Sequence, residues 1–246
     1  MKLSVIIPCK NEAGTVEHLL ESLTRQTHAP DEVIVVDSHS TDSTVEAARS
    51  FHTKLPLKII TAEQVGVTHA RNEGAAAASG DVLLFIDADV KLPKNLIEKV
   101  HRAVGRRHLD VGGFGQHMEA SSLGLRIGSR FMNGYVRTMS FTPWPIFFSC
   151  FFIRKKVHQQ IGGFDPNLWI MEDYDYAYRA RQAGAKFGLV RGTYFIASPR
   201  RFETGEGHSI LKAAYAEIYR YTHGMRITKP LYHYDMSREG QKKKNL

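Results

Sequence analysis

The chain has 246 residues, of which 43% are apolar and 24% charged, and its formal net charge is +8. This length supports one large domain with a sizeable core, and the composition excludes a disordered or fibrous protein. The positive balance favours anionic partners such as phosphates, nucleic acid or an acidic membrane surface.

Strands and helices are expected to alternate through residues 1–105. Apolar runs predict strands at 3–7, 31–37 and 57–60 and from Val82. Helical spacing and helix-start residues predict helices after Gly14, at 44–51, at 66–80 and from Pro93. Such alternation is typical of an α/β protein with a Rossmann-like, mostly parallel central sheet flanked by helices.

The rest of the chain is less regular. After the glycine cluster GGFGQ (112–116), we expect a helix at 121–139, an aromatic strand at 146–153, a helix from Glu172, short strands at 187–197 and a last helix at 209–223. No internal repeat or linker is visible, so we predict a single domain, 1–246. Its parts are a regular first half (1–105), a more irregular second half (106–200), and a C-terminal loop, helix and basic tail (201–246).

We expect neither a signal peptide nor a membrane span in this sequence. The apolar segment in the opening MKLSVIIPCK is too short for a signal peptide. The uncharged window 138–153 falls short of the ~20 residues that a membrane span needs. Cys9 and Cys150 lie in apolar stretches and are expected to be buried thiols in a reducing compartment. We therefore expect a cytoplasmic protein, with peripheral contact to the cytosolic membrane face left open.

Two acids, Asp87 and Asp89, follow the fourth predicted strand. If the extended conformation persisted through Asp89, both side chains would point to one side, about 6.6 Å apart along the chain. Like charges this close are costly without a cation, and ligands of open α/β sheets bind beyond the carboxyl ends of strands. The pair predicts a divalent cation completed by phosphate oxygens. The alternative is two solvated acids that open a loop.

Five motifs in this order resemble those of the family 2 glycosyltransferases. They are SVIIPCKNE (4–12), DSHSTDST (37–44), GVTHARNEG (66–74), FIDADV (85–90) and GGFDPNLWIMEDYDYAYRARQAG (162–184). Each is weak alone, but their co-occurrence is specific, and the resemblance covers roughly residues 1–190. It implies the GT-A fold, a nucleotide-diphosphate-sugar donor, a bound Mn²⁺ or Mg²⁺ ion and transfer with inversion at the anomeric carbon. It also implies that residues 1–105 are the nucleotide-sugar-binding half and that residues 106–200 are the acceptor and catalytic half.

The resemblance assigns the donor to Pro8, Glu12, Asp37, Arg71 and Asp87. Asp37 would accept a hydrogen bond from the base, and Arg71 would face the nucleotide or its diphosphate, since a guanidinium suits planar anion recognition. Asp87 would hold the ribose or the metal, and Asp89 the metal. The structural alternatives are a helix-start acid for Asp37 and a surface ion pair for Arg71.

Departures from the family pattern leave some points open. Ser38 replaces the second acid of the base-binding motif and His39 replaces its glycine, so the choice of base is uncertain in the sequence. The QxxRW element of processive synthases is missing, and SPRRF (198–202) resembles it only loosely. Transfer of a single sugar is therefore expected.

Glycosyl transfer to a hydroxyl requires a group that accepts its proton. Asp173 corresponds to the second acid of the family's Glu-Asp pair and is the predicted base, with Glu172 supporting it or touching the acceptor. Alternatively, the two acids only stabilise the first turn of a helix. Asp175 and Arg179 are four residues apart and are expected to form a structural ion pair.

Three late residues are further candidates. The resemblance suggests His208 as a metal ligand, and the alternative is a helix-start residue. Arg200 and Arg201 are expected to clamp the diphosphate, or else to be solvated charges.

The acceptor is less well indicated. Arg126, Arg130 and Arg137 share one face of the predicted helix, near Ile127 and Phe131, and the aromatic FTPWPIFF follows. With the Lys-rich tail, this pattern is compatible with contact with anionic lipid and with a saccharide or lipid-linked acceptor. The alternative is a solvated basic helix face plus a core strand. An apolar stripe at 210–219 suggests packing on the sheet or in a homodimer.

Other classes fit less well. An NAD-dependent oxidoreductase needs G-x-G-x-x-G after its first strand, where this chain has PCKNEAG. The sequence shows no convincing pattern of basic and aromatic residues for a surface that reads nucleic acid. A non-catalytic protein that binds a nucleotide-sugar or another anionic ligand is the remaining alternative.

Overall fold

The computed structural model describes residues 1–118, 123–198, 215–219, 222 and 226–228. Its strands are β1 (Leu3–Cys9), β2 (Glu32–Asp37), β3 (Leu57–Thr61), β4 (Val82–Ile86), β5 (Val90–Lys91), β6 (Val111–Met118), β7 (Cys150–Arg154) and β8 (Phe187–Ala197). Its longer helices are α1 (Ala13–Thr24), α2 (Thr44–Arg49), α3 (Val67–Ala77), α4 (Leu96–Arg106), α5 (Leu123–Met139), α6 (Lys155–Gln160) and α7 (Glu172–Gln182). Within these ranges, the strands form a single sheet in the order β3-β2-β1-β4-β7-β6-β8-β5.

The first half confirms the expected alternation. Strands β1 to β4 pair in parallel, with Val5 opposite Val33 on one side and Leu84 on the other. All five residues of β4 are buried, as a central strand covered on both faces requires. Helix α1 packs Val16, Leu19, Leu20 and Leu23 onto one face of this sheet.

The second half departs from the parallel pattern. Strand β7 runs antiparallel to both β4 and β6, whereas β6 and β8 are parallel. The short strands expected at 187–197 are wrong, because these residues form one eleven-residue strand, β8. The aromatic strand begins only at Cys150, and helix α6 was not expected.

The glycine cluster at 112–116 lies inside strand β6, which was not among the predicted strands. A Cβ atom on Gly112 would lie 2.2 Å from Cε1 of Phe152, and one on Gly113 would lie 2.9 Å from Cβ of Phe147. Glycine is therefore required at both positions because the side chains of Phe152 and Phe147 lie directly against the backbone of β6.

An aromatic cluster fills the space between the sheet and α7. Tyr176 is fully buried, and its ring stacks on Phe164 with centroids 3.9 Å apart. The hydroxyl of Tyr176 lies 2.6 Å from Nδ1 of His158, and burial lowers the pKa of that imidazole to about 4. Helix α7, which begins with the two candidate catalytic acids, is thus fixed to the core.

The two cysteines are buried and free, as expected. Burial is the main cause that raises the pKa of both thiols, which favours the neutral form. Of the helices that the structure describes, none has the length and apolar character to cross a membrane.

Candidate active site

The extended conformation on which the orientation of Asp87 and Asp89 depended does not persist through Asp89. Strand β4 ends at Ile86, and Ala88 and Asp89 form a turn. The backbone N–H of Asp87 donates to the carbonyl of Ser149 at 3.2 Å. Because the chain turns here, the spacing along a strand no longer fixes how the two carboxylates are oriented. They still lie beyond the carboxyl end of a central strand, where open α/β sheets bind ligands.

Arg71, on α3, joins this strand end to α7. Its Nη2 donates to Oδ1 of Asp87 at 2.9 Å, and its Nη1 donates to Oε1 of Glu172 at 2.8 Å. The residue is only 4% exposed, so a surface ion pair is the wrong description. Burial opposes its charge, but the carboxylates of Asp87, Glu172 and Asp173 outweigh that cost and raise the pKa of Arg71.

The Arg71 guanidinium also carries an unused donor. Its Cζ lies 5.3 Å from the centroid of the Phe164 ring, and its buried Nε finds no hydrogen-bond partner among the described residues. The sequence predicted that Arg71 binds the nucleotide or diphosphate, and that role stays a prediction. The geometry adds two ion pairs, one from Arg71 to Asp87 and one from Arg71 to Glu172, which is 101 residues away in the sequence.

Asp173 stands in the first turn of α7, after Met171, whose backbone is left-handed at φ 60°. This conformation is uncommon for a residue with a side chain and often marks functional sites. Oδ1 of Asp173 accepts a hydrogen bond from the backbone N–H of Tyr174 at 3.0 Å. Burial and the nearby Glu172 charge raise the pKa of Asp173 to about 8, although Arg71 acts in the opposite direction.

Strand β2 supplies a second polar cluster, around Asp37. This acid is buried, and its two carboxylate oxygens accept from the backbone N–H of Ser40 at 3.2 and 3.3 Å. His39 has φ 57°, which explains why glycine is favoured at this position. Since β1 alone separates β2 from β4, the two clusters lie at the same edge of the sheet.

Asn11 belongs to this second cluster but was not among the predicted site residues. It is buried, has φ 55°, and accepts a hydrogen bond through Oδ1 from the N–H of Thr41 at 2.8 Å. Its backbone N–H donates to Ser40 at 3.0 Å. Its position in the PCKNE turn was the available signal, because asparagine tolerates left-handed turns.

Pro8 and Glu12 frame the same turn. Pro8 is paired with Val36 across β1 and β2, and Glu12 precedes α1 with its N–H donated to Oγ1 of Thr44 at 2.8 Å.

Arg200, Arg201 and His208 lie outside the described residues, as does most of the helix expected at 209–223. In the described ranges, no cluster of three or more His, Cys, Asp or Glu side chains is arranged to hold a metal ion.

The ion pair expected between Asp175 and Arg179 is confirmed, with Nε of Arg179 at 2.7 Å from Oδ2 of Asp175. Arg179 also donates through Nη1 to the carbonyls of Ile161 and Gly163, at 2.6 and 2.8 Å. These contacts hold the GGFD turn against α7. They are structural and do not reach the cluster around Arg71.

Solved structures show that this architecture is the GT-A fold of glycosyltransferases. TarS 1–349 of Staphylococcus aureus, in complex with UDP-GlcNAc, is similar with a TM-score of 0.67 and 23% identity over 80% of this chain and 58% of that one. The mannosyltransferase PcManGT of Pyrobaculum calidifontis, in complex with GDP-Man and Mn²⁺, has a TM-score of 0.66 and 24% identity over 79% of this chain and 56% of that one.

Sequence comparison gives the family. The model of glycosyl transferase family 2 matches residues 4–162, and the chain therefore belongs to that family, as its motifs predicted. Validoxylamine A glucosyltransferase of Streptomyces hygroscopicus subsp. limoneus is 28% identical over 233 residues, which cover 80% of this chain and 51% of the relative. The dolichol-phosphate mannosyltransferase of Pyrococcus furiosus is 37% identical over 106 residues, 42% of this chain and 30% of the relative.

The chain spans about half the length of the first of these relatives. The family model ends at residue 162, before Glu172 and Asp173, so the two candidate catalytic acids lie beyond the matched range.

Proposed function

We propose that the protein transfers one sugar from a nucleotide-diphosphate sugar to an acceptor, by a single displacement with inversion, and that Asp173 is the base. The observation that carries this proposal is the Arg71 bridge. It joins Asp87, at the strand end where donors bind in this fold, to Glu172, next to Asp173. Donor-side and acceptor-side groups are thereby held in one charged cluster.

The donor would lie along the edge formed by β1, β2 and β4. The Asp37 carboxylate would accept from the N–H of the base, with Pro8 and Glu12 beside it, and Arg71 would face the diphosphate. UDP-GlcNAc and GDP-Man, which occupy the two similar structures, are the donors to test first.

Asp87 and Asp89 would hold the Mn²⁺ or Mg²⁺ ion. Among the described residues, Arg71 is the donor that the Asp87 side chain contacts, and it uses Oδ1. The other oxygen, Oδ2, can therefore face a cation. Carboxylate oxygens suit both ions, and a site with few protein ligands is typical when phosphate oxygens complete it. The ion would neutralise charge that develops on the leaving diphosphate. His208, Arg200 and Arg201 stay predictions for the same end of the donor.

In the proposed reaction, the acceptor oxygen attacks the anomeric carbon while the bond from that carbon to the diphosphate oxygen breaks. The electron pair of the broken bond leaves with the nucleoside diphosphate, and the acceptor proton passes to Asp173. One displacement inverts the anomeric configuration. A base with a pKa raised to about 8 suits a hydroxyl proton, whereas a lipid phosphate is already ionised and needs no base. We therefore favour a hydroxyl acceptor, on a saccharide or a lipid-linked saccharide.

The test is a panel of nucleotide-sugars with the purified full chain, with and without Mn²⁺. We expect one donor to raise the melting temperature and to release its nucleoside diphosphate when a saccharide acceptor is added. Proton NMR of the product would show an inverted anomeric configuration. A donor that binds and is never consumed would favour the non-catalytic alternative, and a panel without any shift would overturn the donor proposal.

A matched pair of variants tests the metal site. Asp89→Asn lies after the carboxyl end of β4, and Asp81→Asn lies before the amino end of the same strand. The first change is expected to abolish the part of the melting shift that depends on Mn²⁺, and the second to leave it unchanged. Equal responses of the two variants would place the ion elsewhere.

A further inference from the structure

Helix α5 and the turn after it expose apolar side chains that the sheet does not cover. Phe131 and Phe141 are each 75% exposed, and Ile127 is 57% exposed. On the other side of the helix, Ser129 and Val136 are buried. The helix is therefore packed on one face and presents an apolar strip to its surroundings.

Arginines run beside this strip. Arg126 and Arg130 are one helical turn apart, and so are Ile127 and Phe131, so the two pairs form adjacent rows on one face. Arg137 continues the row of arginines towards the end of the helix, and all three arginines are exposed. Together, basic and apolar side chains share a single exposed face.

The turn after α5 extends the face. The N–H of Phe141 donates to the carbonyl of Thr138 at 3.2 Å, which continues the helical winding beyond Met139. Phe141 lies four residues after Arg137 and thus falls in line with the row of arginines. Trp144, 43% exposed, follows in the same loop.

A neighbouring segment adds to the apolar area. The hydroxyl of Tyr135 donates to Glu217, which brings residues 215–219 alongside α5. In that segment, Tyr215 and Ile218 are 51% and 63% exposed. Exposed apolar groups from three stretches of chain thus occur around one helix.

We propose that the exposed face of α5, formed by Arg126, Ile127, Arg130, Phe131, Arg137 and Phe141, docks on the surface of a bilayer that contains anionic phospholipid. Charge complementarity supports this partner. Helix α5 has three arginines and no acidic residue, and none of the three is paired with a carboxylate in the part of the chain that the structure describes. Interfacial helices combine such a cationic row with aromatic and aliphatic side chains that enter the acyl boundary.

A second copy of the chain is a less suitable partner for this face. A two-fold dimer brings the same surface patch of both subunits together, so the arginine rows would face each other. Arginine rows that face each other would repel, whereas arginine side chains beside a bilayer keep their heads at the phosphates. The inference concerns location and does not depend on the proposed transfer reaction.

The experiment is sedimentation of the full chain with vesicles of phosphatidylcholine, with or without phosphatidylglycerol, in the absence of donor and acceptor. We expect binding to the anionic vesicles, weakened by added salt because exposed charges are screened. The chain has two tryptophans, so the Trp169→Phe variant leaves Trp144 as the single fluorescent tryptophan that reports on binding. Its emission is expected to shift to shorter wavelength with anionic vesicles only.

Two pairs of substitutions test the two kinds of contact. Arg126→Gln with Arg130→Gln is expected to weaken binding about 25-fold, from roughly fivefold for each arginine near an anionic surface. Phe131→Ser with Phe141→Ser is expected to weaken it about tenfold or more, because buried aromatic area is lost. Circular dichroism and melting temperature check that each variant is folded.

Matched controls use the other exposed residues of the chain. Arg102→Gln with Arg106→Gln removes two exposed charges from α4, and Val65→Ser removes an exposed apolar side chain elsewhere. Both controls should bind like the unmodified chain. Equal loss in the α4 control would overturn the proposal in favour of unspecific charge attraction. Unchanged binding in the α5 variants, or binding to neutral vesicles as tight as to anionic ones, would also overturn it.

Light scattering separates the remaining possibility. If the unmodified chain were a dimer and Phe131→Ser with Phe141→Ser made it a monomer without affecting vesicle binding, the face would be a subunit contact and the lipid proposal would be wrong. Donor turnover, measured separately, reports on the proposed function whichever result the vesicles give.

Discussion

The two halves of the molecule build the same sheet in different ways. Strands β1 to β4 are parallel, and β1, β2 and β4 consist mainly of buried apolar residues. Strands β6 to β8 mix both directions and depend on glycines under aromatic rings. The candidate site belongs to neither half alone, because Arg71 and Asp87 come from the first and Glu172 and Asp173 from the second. Its chemistry therefore depends on the junction, and each half can be perturbed separately.

The largest expected effect comes from the second half. Asp173→Asn removes the proposed base and should lower kcat by about 10²- to 10⁴-fold, the usual contribution of a general base. Donor binding, measured by the melting shift, should be retained because the donor edge belongs to the first half. The matched control is Asp175→Asn on the same helix, which loses the ion pair to Arg179. That variant should lose stability and keep most of its rate, and full activity of Asp173→Asn would show that another group is the base.

Arg71→Met tests the junction itself. Removing this side chain leaves Asp87 and Glu172 without their shared cation, and breaking a buried ion pair costs about 3 kcal/mol or more in free energy of unfolding. We expect both lower stability and lower kcat, because Asp173 also loses the positive charge that lowers its pKa.

Arg179→Met is the matched control for the junction. It breaks contacts that lie wholly in the second half, to Asp175 and to the carbonyls of Ile161 and Gly163. Urea unfolding should show a loss of stability in both variants, whereas kcat per folded molecule should fall only for Arg71→Met. Equal kcat losses would mean that the junction is no more important than packing within one half.

The sequence predicted the positions of some of these residues but not the contacts of others. The strand ends at Asp37 and Asp87 followed from apolar runs, because a buried parallel strand has a continuous hydrophobic pattern. The Arg71 bridge could not be predicted, since it joins groups 101 residues apart and depends on how α3 and α7 pack. Likewise, the strand through Gly112 was not predicted, because the ring of Phe152 that requires a glycine there is distant in sequence. The order of the motifs identified the family, but only the packed structure showed that Arg71 contacts Asp87 and Glu172.

A smaller effect separates the two acids of α7. The charge of Glu172 helps raise the pKa of Asp173 to about 8, after burial as the larger cause. The base acts when deprotonated, so kcat/KM should rise with pH and level off above that value. Glu172→Gln removes the charge and keeps an oxygen for Arg71, so the inflection should move about one pH unit lower. An unchanged inflection would mean that a different group titrates.

The same raised pKa has a consequence for stability. Folded Asp173 holds its proton up to about pH 8, whereas the ordinary value for the group is 3.8. Between these values the folded state binds the extra proton, so its contribution to stability is full at low pH and is lost as pH rises towards 8. In a metal-free buffer, Asp173→Asn should therefore show a smaller fall in melting temperature over this range than the unmodified chain. A steeper fall would contradict the assignment.

The smallest expected effect distinguishes two reasons why a position in the second half needs glycine, namely lack of space for a side chain and a left-handed backbone. A Cβ atom added at Gly128, inside α5, or at Gly162, after α6, would meet no heavy atom within 4 Å. Only Gly162 has a left-handed backbone, with φ 73°. Gly128→Ala should raise the free energy of unfolding by about 0.5–1 kcal/mol through helix propensity and lower chain entropy. Gly162→Ala should lower it by about 1 kcal/mol because the αL conformation is unfavourable with a side chain. Urea titration resolves the difference in sign, and a gain in both variants would mean that free space, not φ, decides where this half of the molecule needs glycine.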